Sequence, residues 1–130
     1  MTAISEGILL RTVGYARTVR VHVDVRFEPS AGDRPRPGST VRVELRDTGL
    51  ADAPSRLVSA GEAPLREGDT TTVELNVDES ALPAKARLQL TARAAQEQTV
   101  PRARGDWITM ESFPWKVGDD SAQVRIRPIA

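Results

Sequence analysis

Strict alternation of apolar and polar side chains is the feature that most constrains this chain. In residues 19–27, valine or phenylalanine occupies every second position, and arginine, histidine or aspartate fills each position between. A period of two is the repeat of a β-strand, whose successive side chains point to opposite faces. The segment is therefore predicted to be a strand with one buried face and one wet face.

Other segments repeat this pattern along the chain. Alternation recurs in residues 40–46, 71–77, 86–94 and 124–127. A weaker segment, 57–63, lies between two prolines and is predicted to be an edge strand. Alanine and leucine in 86–94 would also allow a helix, but a period of two fits better than 3.6. Together these segments predict an all-β fold, an antiparallel two-sheet sandwich of about seven strands, immunoglobulin-like or transthyretin-like.

Length and charge limit the classes of function. A chain of 130 residues fits one domain over 1–130, with residues 1–16 expected to be a loosely attached N-terminal segment. Eighteen basic residues balance eighteen acidic ones, so no global field favours nucleic acid as a partner. All but two of the basic residues are arginines, which we expect to form salt ladders with carboxylates across strands.

The sequence also bears on the compartment. The N-terminal stretch has a short apolar run, Ile8–Leu10, and no lipidation cysteine, because the chain contains no cysteine at all. A cytoplasmic location is expected, and a periplasmic one only for an excised mature domain. The absence of any run of about 18 apolar residues predicts that no segment inserts into a membrane.

The residues that could support catalysis or hold a metal are few. His22 shares a strand face with Asp24, but no serine stands in a recognisable nucleophile motif. The acidic pairs Asp78–Glu79 and Asp119–Asp120 lack the spacing of a calcium loop and suit turns better. We therefore expect no enzyme activity, no cofactor and no metal.

The segment from Trp107 to Trp115 is where the local rules conflict. If Trp107, Phe113 and Trp115 face the core, Met110 and Ile108 fall on the opposite face, and Pro114 interrupts the strand. Two interpretations stay open: a central strand or bulge covered by loops, or an exposed apolar contact surface. The candidate interaction surface consists of Trp107, Met110, Phe113 and Trp115.

From Val41 onward the chain resembles a known family. The residues that carry the resemblance are 41–47 with 51–54, 73–78, 88–93, and Phe113-Pro114-Trp115 before 124–126. They resemble the YbaY/YscW-type lipoprotein family, whose best-known branch contains pilotin-like lipoproteins of type III secretion systems. The resemblance implies a small β-sandwich without known enzymatic activity and, in one branch, help in localising or assembling an outer-membrane secretin. The signal peptide and lipidation cysteine of typical members are not found in this sequence.

Two functions follow as hypotheses. The first is a non-enzymatic protein-interaction or assembly-accessory module that binds another protein through a sheet edge or through the aromatic segment. The alternative is a small-ligand or carbohydrate-binding module, in which an exposed tryptophan stacks on a sugar.

Overall fold

The computed structural model describes residues 18–28, 33–49, 54–83 and 85–129. The described strands are β1 (Thr18–Phe27), β2 (Thr40–Asp47), β3 (Arg56–Pro64), β4 (Thr70–Asp78), β5 (Leu88–Ala95), β6 (Trp107–Ile108) and β7 (Ser121–Pro128). A single 3₁₀ turn, Glu79–Ala81, follows β4 and begins where the Asp78 carboxylate accepts the Ser80 amide hydrogen. The prediction for residues 1–16 lies outside the described residues.

The seven described strands form one mixed sheet in the order β3-β2-β5-β6-β7-β1-β4. Neighbouring strands are antiparallel except β1 and β7, which run parallel with Val25 beside Val124. The end strands β3 and β4 come together, so that the sheet is nearly closed and barrel-like. The core lies inside this curved sheet.

The predicted all-β class and number of strands are confirmed, whereas the division into two antiparallel sheets is not. The short strand β6 pairs with β5 on one side and with β7 on the other, which makes the sheet continuous. The parallel contact of β1 with β7 also departs from a purely antiparallel arrangement. Alternation assigns the faces of a strand and not its neighbours, so it could not separate the two architectures.

The core is built from the apolar rows that the alternation predicted. Each long strand except β3 contributes one row of buried side chains, and the intervening positions stay exposed or half-buried apart from Ala95 at the end of β5. The largest fully buried members are Phe27, Leu45, Leu75, Leu90 and Ile126, with the valines of β1, β2 and β4 around them. Burial of each such side chain stabilises the fold by about 1.5–3 kcal/mol.

Polar contacts anchor the loops to this frame. The buried Asp47 accepts hydrogen bonds from the backbone amides of Gly49 (2.9 Å) and Arg87 (3.1 Å), which ties the end of β2 to the approach to β5. Arg93 pairs with Asp106 at 2.7 Å and also donates to carbonyls of the loop between β5 and β6. Asp47 and Arg93 thus anchor loops that have no row of buried apolar side chains.

The predicted arginine ladder is confirmed on the wet face of β2. Arg42 contacts Glu44 at 2.9 Å and, across the strand pair, Glu62 of β3 at 3.0 Å. Arg46 contacts the other oxygen of Glu44 at 2.7 Å. Burial raises the pKa of Glu44, but the hydrogen bonds from these two guanidinium groups outweigh that effect and leave the pKa below its ordinary value.

The sheet closes where β3 meets β4. These two strands are the ends of the sheet order, and the Ser59 hydroxyl donates to the Asn76 carbonyl at 2.6 Å across the junction. A Cβ atom at Gly61 would lie 2.2 Å from the carbonyl oxygen of Glu74. Glycine is therefore required at position 61, because only a residue without a side chain lets the two backbones approach so closely.

We predict that Gly61→Ala destabilises the protein by roughly 1–3 kcal/mol, since the added methyl must push β3 away from β4. In an unconstrained strand the same change would stabilise by about 0.5–1 kcal/mol. Ser59→Ala, which removes the hydrogen bond without a clash, should cost about 0.5–1.5 kcal/mol. Urea unfolding of the unmodified protein and of both variants measures the free energies of unfolding. An unchanged or raised stability of Gly61→Ala would contradict the close approach of β3 to β4.

Candidate functional site

The chain between β6 and the end of the aromatic segment forms a bulge. Ile108 is paired with Arg93, and Pro114 is paired with Gln89. The chain advances six residues from Ile108 to Pro114, while β5 covers the same stretch with four, from Gln89 to Arg93. Two residues are therefore extra and must loop out. We call residues 109–113 the bulge; the strand of this segment is limited to Trp107–Ile108.

The bulge decides where the aromatic side chains lie. Because two residues and not one are inserted, the alternation keeps its phase, and Trp107 (2% exposed) and Trp115 (4% exposed) both face the core. The Trp107 ring meets Phe27 edge to face, with centroids 6.2 Å apart. The Trp115 indole nitrogen donates to the Asp119 carbonyl at 3.2 Å.

The other two residues of the predicted interaction surface lie at the bulge itself. Met110 is 53% exposed, and Phe113 is half-buried with the Arg125 guanidinium 5.9 Å from its ring centroid. The four predicted residues are therefore divided, with both tryptophans inside and Met110 outside. Neither tryptophan presents a ring face on which a sugar could stack.

An open groove of about 740 Å³ lies next to the bulge. Its lining consists of Arg26, Phe27, Glu28, Asp69, Phe113, Gln123, Val124 and Arg125. Because β1 and β7 run parallel, Arg26 stands beside Arg125 and Asp24 beside Gln123 on the wet face. The groove thus joins an aromatic wall to a floor of two neighbouring arginines.

Carboxylates surround these arginines at different distances. Glu28 is hydrogen-bonded by Arg127 at 2.7 Å and lies 3.6 Å from Arg125. Glu111 of the bulge lies 3.1 Å from Arg125, and Asp69 lies 3.9 Å from Arg26. The hydrogen bond from Arg127 lowers the pKa of Glu28 below its ordinary value.

His22 and Asp24, considered above for catalysis, each contact a residue of the adjacent strand. His22 Nε2 lies 3.2 Å from Glu74 of the adjacent strand, while Asp24 accepts a hydrogen bond from the Thr72 hydroxyl at 2.7 Å. Within the described ranges, no three of the His, Asp and Glu side chains are grouped closely enough to hold a metal ion. The described residues also contain no helix with the length and apolar character needed to cross a membrane.

Sequence reasoning missed the arginines and Gln123 of the groove floor. Alternation placed Arg26 and Arg125 on wet faces, but their proximity to each other, and that of Gln123 to Asp24, depends on the parallel pairing of β1 with β7. No sequence signal of that pairing was available, because the two strands are separated by most of the chain. Phe113 and Met110 were found because the large apolar side chains of residues 107–115 fall on both faces of the segment and cannot all face one core.

Comparisons with known proteins identify the class of this fold. No family model matches the chain, and no curated protein matches it. Among solved structures, the chain is similar to an alternative pilotin from the type II secretion system of Vibrio cholerae. The TM-score is 0.68 at 17% identity, over 88% of this chain and 99% of that one. The fold is therefore pilotin-like, and membership of the YbaY/YscW-type family stays a prediction.

We predict that Trp107→Ala destabilises the protein by about 3–5 kcal/mol, because it leaves a cavity beside Phe27. Met110→Ala should change the free energy of unfolding by no more than about 0.5 kcal/mol, as expected for a surface position. Chemical denaturation of both variants checks this, and similar losses in both would contradict the division of the aromatic segment into core and surface.

We further predict that the Glu28 carboxyl titrates below 4.5, its ordinary value, and that Arg127→Gln moves the pKa upward. Because the pKa is lowered in the folded state, the stabilising contact is present above the ordinary value and is lost as the pH falls through the lowered pKa. Carbon-13 NMR of the carboxyl group measures both values. The control is Arg87→Gln, which replaces an exposed arginine just before β5 and should leave the titration of Glu28 unchanged.

Proposed function

We propose that this protein is a non-enzymatic protein-interaction module that acts as an assembly accessory, as a pilotin does. The observation that carries the proposal is the bulge, which exposes Met110 and brings the half-buried Phe113 to the lining of the groove. β-Bulges commonly re-aim side chains at functional sites, and this one turns a methionine out of the core. The partner proposed is another protein.

The fold adds independent support. This chain shares its fold with an alternative pilotin of a type II secretion system over 99% of that pilotin's chain. Because fold does not dictate function, the similarity supports an accessory role without naming the partner. The end strands of the sheet already meet each other, which favours the bulge and groove over a sheet edge as the contact surface.

The carbohydrate-binding alternative has less support. It depended on an exposed tryptophan, and the indole rings of Trp107 and Trp115 are buried. The cytoplasmic location stays a prediction of the sequence, and cell fractionation would check it.

Site-specific photo-crosslinking tests the proposed function. A photo-reactive amino acid at Met110 should give a discrete adduct with one protein in the native cell. The same amino acid at Val100, which is 46% exposed on the loop between β5 and β6, is the matched control. Absence of an adduct at Met110, or the same adducts at both positions, would contradict an interaction surface at the bulge.

A further inference from the structure

A small cavity of about 190 Å³ lies where β5 runs into the loop before β6. The register that pairs Thr40 with Ala95 brings the start of β2 next to this loop, and residues from both sides line the cavity. Pro114, which follows the bulge, pairs with Gln89 near the opposite end of β5. The cavity is therefore separate from the bulge and its groove.

Ser39 lines this cavity and carries a buried hydroxyl. The residue is 4% exposed and continues the buried row of Val41 and Val43. Its amide donates to the Arg36 carbonyl at 3.1 Å, and its carbonyl accepts from the Leu65 amide at 3.0 Å. The hydroxyl has no hydrogen-bond partner among the residues that the structure describes. Because a buried hydroxyl without a hydrogen bond is unfavourable, this group is a donor suited to a ligand in the cavity.

Two exposed arginines line the same cavity without carboxylate partners. Arg36 lies against Gly105, where a Cβ atom would come within 2.5 Å of the guanidinium nitrogen Nη2. Glycine at position 105 thus leaves room for the Arg36 head group. Within the described ranges, neither Arg36 nor Arg104 forms an ion pair. Arginines of the wet faces, such as Arg42 and Arg125, are paired with carboxylates instead.

Two carboxylates also line the cavity, and one of them is already neutralised. Asp106 accepts hydrogen bonds from Arg93 at 2.7 and 3.2 Å. Glu97 is exposed and has no ion-pair partner in the part of the chain that the structure describes. The unpaired charges are thus those of Arg36, Arg104 and Glu97, and their sum is positive. This balance favours an anion in the cavity.

We infer that this cavity binds a tetrahedral oxyanion, phosphate or sulfate. Arg36 and Arg104 donate to its oxygens from the exposed side, and the Ser39 hydroxyl donates from the buried side. Three donors that approach from different sides suit an anion with four oxygens better than a planar carboxylate, which has two. Hydrogen bonds from guanidinium groups to such an anion are charge-assisted and therefore strong. The inference goes beyond the proposed function and does not depend on it.

Anion titrations at constant ionic strength test the inference on the full-length protein. Sodium phosphate, sodium sulfate and sodium acetate each replace sodium chloride, so that screening of exposed charges is unchanged. In nitrogen-15 NMR spectra, the Nε–H signals of Arg36 and Arg104 should shift and saturate with phosphate or sulfate. Acetate should bind markedly more weakly. Equal affinities for all three anions, or no saturable shift with either tetrahedral anion, would overturn the inference.

Variants of the charged residues locate the site. Arg36→Gln and Arg104→Gln should each weaken anion binding by about fivefold, the upper range for an exposed ion pair. Glu97→Gln should strengthen it by about two- to fivefold, because the variant removes a repelling carboxylate. Arg87→Gln, at the other end of β5, is the control and should leave binding unchanged. Weaker binding by Glu97→Gln, or an equal loss in Arg87→Gln, would overturn the inference.

Ser39→Ala distinguishes a hydroxyl that binds a ligand from one that stabilises the fold. Without the anion, the midpoint of thermal unfolding should stay the same or rise, because the variant removes an unpaired buried hydroxyl. Anion binding should nevertheless weaken by about tenfold, since hydrogen bonds to charged groups are stronger than those between neutral groups. A lowered midpoint without the anion, or unchanged anion binding, would overturn the inference.

Discussion

Each long strand except β3 has one apolar row, and these rows can leave water only by facing one another. A single sheet achieves this by curling until its two ends meet, because a flat sheet would leave its apolar face exposed. Closure in turn requires that β3 and β4 approach without a side chain between them, which is why glycine stands at position 61. The packing of the core and the positions of the loops follow from this closure.

The bulge is the place where the curled sheet departs from regular pairing. Its two extra residues preserve the phase of the alternation, so the core keeps both tryptophans while Met110 is turned out and Phe113 is moved to the rim. Because Pro114 has no amide hydrogen, the regular ladder cannot be completed there. Core packing and the proposed contact surface thus share one short segment, and they should respond to different substitutions.

Much of the fold could be predicted from the sequence. The alternation located β1, β2, β4, β5 and β7 and the residues that they bury, and the segment between two prolines became the end strand β3. The prediction of two sheets was wrong because the link through β6 involves only two residues. Of the candidate site, Phe113 and Met110 were predicted. Arg26, Gln123 and Arg125 were not, because they form a groove only when β1 and β7 are paired.

The sequence by itself determined which side of each strand is dry, since the direction of a side chain depends only on its place in a local repeat of two. Tertiary structure decided which strands are neighbours. It brought Arg26 beside Arg125 from distant parts of the chain and divided the aromatic segment between core and surface. The reason is that pairing is selected by how the whole apolar surface can be closed, a property that no single segment contains.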